Sequence, residues 1–200
     1  MADPGFRYNA KAYSYVDERG RFLSRTQVRD VLDNALANNG RVVRDLTQQL
    51  QQGRISLADW QTGMAREIKN VHLYSAAAAR GGWAQMTPSD YTRAGQRIEA
   101  QFIYLRGFAE DIANGKQPLN GRALERAAMY SEAGRNTFHH VERQEMEVRG
   151  MTEERSILHA QDSCEGCLEQ AEAEWQPIGE AVPVGERDCL TKCRCTMDYR

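Results

Sequence analysis

The sequence predicts a mainly α-helical protein: an elongated bundle of about four long helices, followed by a small C-terminal knob rich in cysteine. Three observations carry this. Apolar residues recur at helical spacing through most of the first 150 residues. Each run opens on a capping residue and closes on glycine, with short connections that make consecutive helices antiparallel neighbours. All five cysteines fall after residue 160.

Residues 1–23 mix Pro4, Gly5 and Gly20 with Tyr8, Tyr13, Tyr15 and Phe22. They read as an extended N-terminal arm that packs along its own subunit or a neighbour, with a partly ordered terminus as the alternative. Ser24 and Gln27 fit a capping box, and Val28, Val31, Leu32, Leu36, Val43, Leu46 and Leu50 follow at helical spacing up to Gly53. Gly40 marks a candidate kink within this run. Ser56 opens a second helix with the stripe Trp60, Met64, Ile68, Val71, stopped at Gly81-Gly82, after which Trp83 is expected to plug the end of the bundle. Thr87-Pro88-Ser89-Asp90 combines a cap, a proline at the first turn and an acid near the positive end of the helix dipole. Ala94, Ile98, Phe102, Leu105 and Phe108 continue that helix to Asn114-Gly115. Asn120 caps a fourth, with Leu124, Ala127, Ala128, Phe138 and Val141 along it and Gly150 at its end. No strand is expected before residue 150. Beyond it, residues 155–159 read as the first strand of a small hairpin presenting Cys164 and Cys167, with residues 197–199 as its partner. The chain thus divides into an arm (1–23), a helical bundle (24–150) and a Cys-rich tail (151–200).

Net charge is only −2, so the chain as a whole advertises no polyanionic partner. The charge is uneven: residues 160–200 carry nine acids against four bases. An acidic tail is a poor phosphate binder, so contact with nucleic acid is not indicated. No stretch reaches the ~18 consecutive apolar residues of a membrane span, and the opening residues lack the apolar core of a signal peptide. The expected place is the cytoplasm, where thiols stay reduced.

The cysteines are spaced C-x2-C, then C-x3-C-x-C about twenty residues on: Cys164, Cys167, Cys189, Cys193 and Cys195. Two thiols two residues apart grip one ion from a tight turn, and a second cluster closes the tetrahedron, the pattern of a structural Zn²⁺ site with one ion. Cys164 and Cys167 form the first pair, Cys189 and Cys193 the second. Cys195 is the alternate fourth ligand to Cys193, because alternating residues of an extended segment face opposite ways, and His159 is a further candidate. Disulfides in an extracellular particle and reactive thiols are the competing readings. A catalytic zinc needs an open position and a nearby base, which this many sulfurs disfavour.

Other constellations read as structure. His139-His140 lie on a helix with no Glu three residues before either, so they suit an exposed polar face rather than a di-metal site. His72, between Val71 and Leu73, reads as a satisfied, half-buried residue. Tyr91, Phe102, Tyr104, Phe108, Tyr130 and Phe138 fit core or interface. Arginine outnumbers lysine 22 to 4 and is evenly scattered, which suits interfaces and solvated faces. No phosphate loop or catalytic triad is spelled out, and the chain does not read as an enzyme.

A helical body followed by D-x-C-x-x-C … P-x-G … C-x-x-x-C-R-C resembles the phage head-morphogenesis (minor head protein) family of Mu-like phages and prophages. The matching residues are Asp162, Cys164, Cys167, Pro177, Gly179, Gly185, Cys189, Cys193, Arg194 and Cys195. Many members end in His-Pro-x-Cys-Arg-Cys, whereas this chain has Leu190-Thr191-Lys192-Cys193-Arg194-Cys195 with Cys189 one place before the usual histidine. Thiolate replaces imidazole on zinc without loss of the chemistry. The resemblance implies a minor structural or assembly protein of a tailed-phage head, made in the host cytoplasm and carried into the virion at the head or head–tail vertex. It would bind the portal or major capsid protein, form a homo-oligomer in the particle, and touch no membrane. A ring-forming portal–tail adaptor, and a zinc-containing nucleic-acid-binding packaging or regulatory protein, are the alternatives.

Overall fold

The computed structural model describes residues 3–200; Met1 and Ala2 of the expected arm lie outside them. The helices dominate, as expected. α1 (Arg25–Gln51) starts on the Ser24 and Gln27 capping box, with Gln27 N–H donating to Ser24 Oγ at 3.2 Å and Ser24 N–H to Gln27 Oε1 at 2.8 Å. It runs through Gly40 without a break. The glycine sits instead where α1 meets a later helix: Asn39 beside it accepts from Ser131 Oγ at 2.6 Å and donates to Glu67 at 3.0 Å.

α2 (Leu57–Arg80) is the central helix, with Trp60, Met64, Ile68, Val71 and residues 76–79 all buried. It ends at Gly81 in a left-handed cap with φ +90°. A Cβ there would lie 2.1 Å from the backbone nitrogen of Tyr8, so the cap is also where the N-terminal segment passes. Trp83 begins a short turn and packs against the core. α3 (Pro88–Ala113) opens on a capping box made by Thr87 and Asp90, and buried Asp90 also faces Arg80 at 3.0 Å.

The expected fourth helix is two: α4 (Gly121–Glu132) and α5 (Gly134–Val148). α4 lies mainly against α1, and α5 against α2. The path changes at Ala133 and Gly134, where a Cβ on Gly134 would come within 2.8 Å of Ser75 Oγ and 2.9 Å of Leu36 Cδ2. Only a residue without a side chain lets the backbone approach α1 and α2 this closely.

The N-terminal segment is not an extended arm. It forms an antiparallel meander, β1 (Phe6–Asn9), β2 (Ser14–Asp17) and β3 (Phe22–Leu23), folded on its own subunit. Phe6, Tyr8, Tyr15 and Val16 are buried. Tyr15 donates its hydroxyl to the carbonyl of Ala79 at 2.8 Å, and Tyr8 exchanges two hydrogen bonds with the Gln85 side chain. Strands therefore do occur before residue 150.

A second sheet closes the tail. β4 (Glu153–Ile157) pairs antiparallel with β5 (Gln176–Pro177) on one side and β6 (Thr196–Tyr199) on the other. The pairing of β4 with β6 is the one the sequence predicts, with Ser156 opposite Met197. Cysteines 164 and 167, by contrast, stand at the start of a short helix, α6 (Glu165–Glu172), rather than on a hairpin. The tail shares its apolar core with the bundle: Val184, Cys193, Cys195, Met197 and Tyr199 belong to one cluster with Tyr15, Val28, Leu32, Phe138 and Val141. Among the described residues no helix is long and apolar enough to cross a membrane.

Candidate metal centre

The centre is built by two segments that meet. Cys164 is the N-cap of α6 and Cys167 lies three residues on, its N–H bonded to the Cys164 carbonyl at 3.0 Å. Residues three apart stand on one side of a helix start, so both thiols face the same way. The second segment is a tight turn in which Leu190 takes φ +47°, Lys192 N–H donates to Cys189 C=O and Cys193 N–H to Leu190 C=O, both at 3.0 Å. It turns Cys189 and Cys193 toward the same point. Asp188 joins the two segments by accepting from Gly166 N–H at the start of α6, at 2.8 Å.

The sulfurs converge. Cys167 Sγ lies 3.6 Å from Cys189 Sγ and 3.6 Å from Cys193 Sγ. Cys164, Cys167 and Cys189 form one triad with all sulfurs within 4.8 Å of one another, and Cys167, Cys193 and Cys195 form a second that shares Cys167. Thiolates held ~2.3 Å from a tetrahedral zinc stand roughly 3.8 Å apart, whereas a disulfide needs about 2.05 Å. Within each triad the spacing suits ligands of a common ion and is longer than a bonded pair, and all five cysteines are free. The cluster could hold a metal ion. His159, the further candidate, stands outside it, exposed and bonded to Thr196 Oγ1 at 2.8 Å.

The thiols divide: Cys164 and Cys193 are lowered, whereas Cys167, Cys189 and Cys195 are raised. The Cys193 thiol is pulled down to about 4, foremost by the hydrogen bond from Cys195. Cys195 and Cys189 are pushed up, Cys195 first by that same bond and Cys189 first by burial. One charged sulfur therefore forms at the expense of its neighbours until a cation relieves them. A cation already stands beside the group. Arg187 is 3% exposed. Its guanidinium donates to Ser156 Oγ at 2.8 Å and to Val182 C=O at 3.0 Å, and faces Cys167 Sγ at 3.9 Å and Met197 Sδ at 3.6 Å. Among the described residues no carboxylate lies within ion-pair distance of it. A buried guanidinium with neutral partners alone is costly, and thiolates are the counter-charge within reach. Arg187 gave no sign in the sequence beyond its place two residues before Cys189.

The loop that carries the second cluster is pinned from below. Fully buried Glu154 accepts from Gly179 N–H at 2.9 Å and Ala181 N–H at 3.1 Å, and pairs with Arg143 at 2.8 Å. Gly185, with φ +93°, lies so close to α5 that a Cβ would meet Asn136 at 2.9 Å.

The histidines of the helical body depart from expectation. His139 is buried rather than exposed, 3.3 Å from Glu142, and His140 bonds Glu186 at 2.9 Å. The tail roofs this part of α5, which the helix pattern alone could not reveal. His72 is fully buried, its Nδ1 2.6 Å from Thr137 Oγ1, and burial lowers it to about 4. Tyr91 and Tyr104 are exposed. Comparison of the chain with protein-family models, curated proteins and solved structures finds no match.

Proposed function

We propose that this chain is a minor structural or assembly protein of a tailed-phage head, acting by protein–protein binding near the portal vertex, with its tail closed by one structural zinc ion. The observation that carries the reading is that the residues of the D-x-C-x-x-C … P-x-G … C-x-x-x-C-R-C pattern act as one unit. Cysteines 164, 167, 189, 193 and 195 form two triads that share Cys167, Pro177 ends a strand beside Glu153, and Gly179 and Gly185 take positive φ in the loop between. Cys164, Cys167, Cys189 and Cys193 are the preferred ligands, since Cys193 interacts with both Cys167 and Cys189 while Cys195 interacts with Cys167 and Cys193. Four thiolates leave no open position, so the ion would cross-link chain segments rather than activate water. Binding to the portal or capsid and presence in the virion belong to the same proposal.

The test is quantitative mass spectrometry of purified, DNA-filled particles from the source phage. A fixed low multiple of the portal protein supports a vertex component. Absence from both particles and assembly intermediates would sink the phage reading. Metal analysis of the purified chain is separate, and one zinc per chain is expected.

A further inference from the structure

A single zinc ion uses four of the five sulfurs and leaves Cys195 over. That thiol is not turned away into the surrounding core. It stands with Cys167 and Cys193 as the third corner of a triangle whose sulfurs all lie within 4.8 Å of one another. Cys164, Cys167 and Cys189 make the other triangle. The five sulfurs are thus ordered as two triangles joined at one corner. Cys167, at that corner, lies 3.6 Å from Cys189 Sγ in one triangle and 3.6 Å from Cys193 Sγ in the other.

A buried cysteine often serves only as a small apolar filler, but the backbone aims this one at its neighbours. Cys193 has extended backbone, with φ −58° and ψ 132°, just before β6 begins at Thr196. In an extended chain residues two apart share a side, so Cys193 and Cys195 face the same way. Arg194 between them turns the other way, toward Glu132 at 3.7 Å. Each triangle also joins the two segments of the centre. The first takes two sulfurs from the start of α6 and one from the turn, and the second takes one from α6 and two from the stretch that enters β6.

The chemistry of the seats differs from that of a tetrahedral ion. Zinc completes a set of four ligands. Thiolates also select the soft monovalent ion Cu(I), which three of them satisfy. A three-coordinate ion with bonds of about 2.3 Å spaces its sulfurs roughly 4 Å apart, between the 3.6 Å sides at Cys167 and the 4.8 Å limit of each triangle. A thiolate has lone pairs enough to bind two ions at once, and Cys167 is the sulfur placed to do so. Arg187 stands on that sulfur, 3.9 Å away. Five thiolates and two monovalent ions leave a net −3, against −2 for four thiolates around zinc, so a buried guanidinium at the shared corner has more charge to meet. All three cysteines of the second triangle are buried, which keeps water from the ion.

We infer that the cysteine centre takes two Cu(I) ions, one in each triangle, bridged by the Cys167 thiolate. The inference rests on the reading of the cluster as a metal centre and is independent of the phage reading. Zinc draws on four sulfurs and passes over Cys195, whereas copper draws on all five. Copper enters and stays as Cu(I), displacing thiol protons, and no electron is transferred.

The test is anaerobic titration of the full, reduced chain with Cu(I) against a chromophoric Cu(I) chelator, after its zinc content has been measured. Two Cu(I) retained per chain are expected, with release of the zinc. Cys195→Ser removes a corner from one triangle only; it should fall from two Cu(I) to one and still take one zinc, with circular dichroism unchanged. X-ray absorption at the copper edge, recorded on the wild type and so independent of how the variant folds, should show three sulfurs around each ion. A capacity of one or of more than two Cu(I), a folded Cys195→Ser that still takes two, or two-coordinate copper would each overturn the inference. Those results leave the zinc reading standing, which fails instead on a chain that takes up no zinc.

Discussion

Replacing Arg187 by methionine tests the metal centre through the sign of its effect. Methionine keeps most of the volume and removes the charge. With a thiolate-bound ion in place, the guanidinium faces a centre that carries net −2 spread over four sulfurs. Two unit charges ~4 Å apart at an effective dielectric of about 20 interact by about 4 kcal/mol, and Arg187 lies 3.9 Å from Cys167 Sγ. Half a charge on that sulfur makes the attraction about 2 kcal/mol, or roughly thirtyfold in zinc affinity. A competition titration with a chromophoric chelator should show that loss, together with a lower melting temperature for the metal-loaded protein. If the thiols were neutral and bound no metal, the same guanidinium would be a buried cation without a counter-ion. Removing it would then cost nothing or stabilise the fold, as replacement of buried charges by apolar groups often does. Unchanged zinc affinity with an equal or higher melting temperature in Arg187→Met would refute the reasoning.

Other expected outcomes follow from single residues. Cys167→Ser, at the sulfur common to both triads, should abolish stoichiometric zinc, and metal analysis of Cys193→Ser beside Cys195→Ser decides the fourth ligand, with the ion lost in the first and retained in the second. His72 titrates near 4 when folded and near 6.5 when unfolded, so its contribution is fully present above pH 6.5 and lost as pH falls toward 4, by up to about 3 kcal/mol. Urea melts of wild type and His72→Gln across that window should differ in slope, and parallel slopes would remove His72 as the cause. Gly81→Ala combines φ +90° with a Cβ 2.1 Å from Tyr8 nitrogen; it should cost on the order of 1–3 kcal/mol and loosen the meander, read as faster amide exchange in β1.

The parts of this fold legible in the sequence are those fixed by neighbours along the chain. Caps at Ser24, Ser56 and Thr87 reveal themselves within four residues. The cysteine spacing anticipates that the two segments meet, and the expected pairing of residues 155–159 with 197–199 appears as Glu154–Ile157 with Thr196–Tyr199. What escaped depends on contacts distant in sequence. β1 and β2 have four residues each, too few for an alternation to stand out, and their burial is decided by the end of α2. Gly134 looks like any helix glycine until Leu36 and Ser75 close on it. His139 reads as exposed because nothing local announces that the tail will cover it, and Arg187 reads as one more surface arginine among many.

The shared core of the two chain ends has a consequence for the order of events during synthesis. Tyr15 and Val28 emerge from the ribosome well before Cys195, Met197 and Tyr199, which complete their cluster. Arg25 is fastened to the carbonyl of Met197 and stands 5.7 Å from the Tyr199 ring centre. The meander and the first turns of α1 therefore wait with their apolar faces uncovered until the tail has been made. Capture of the ion by the cysteines of the tail would then act as a clasp that shuts only once the tail has been made, long after the segment it covers.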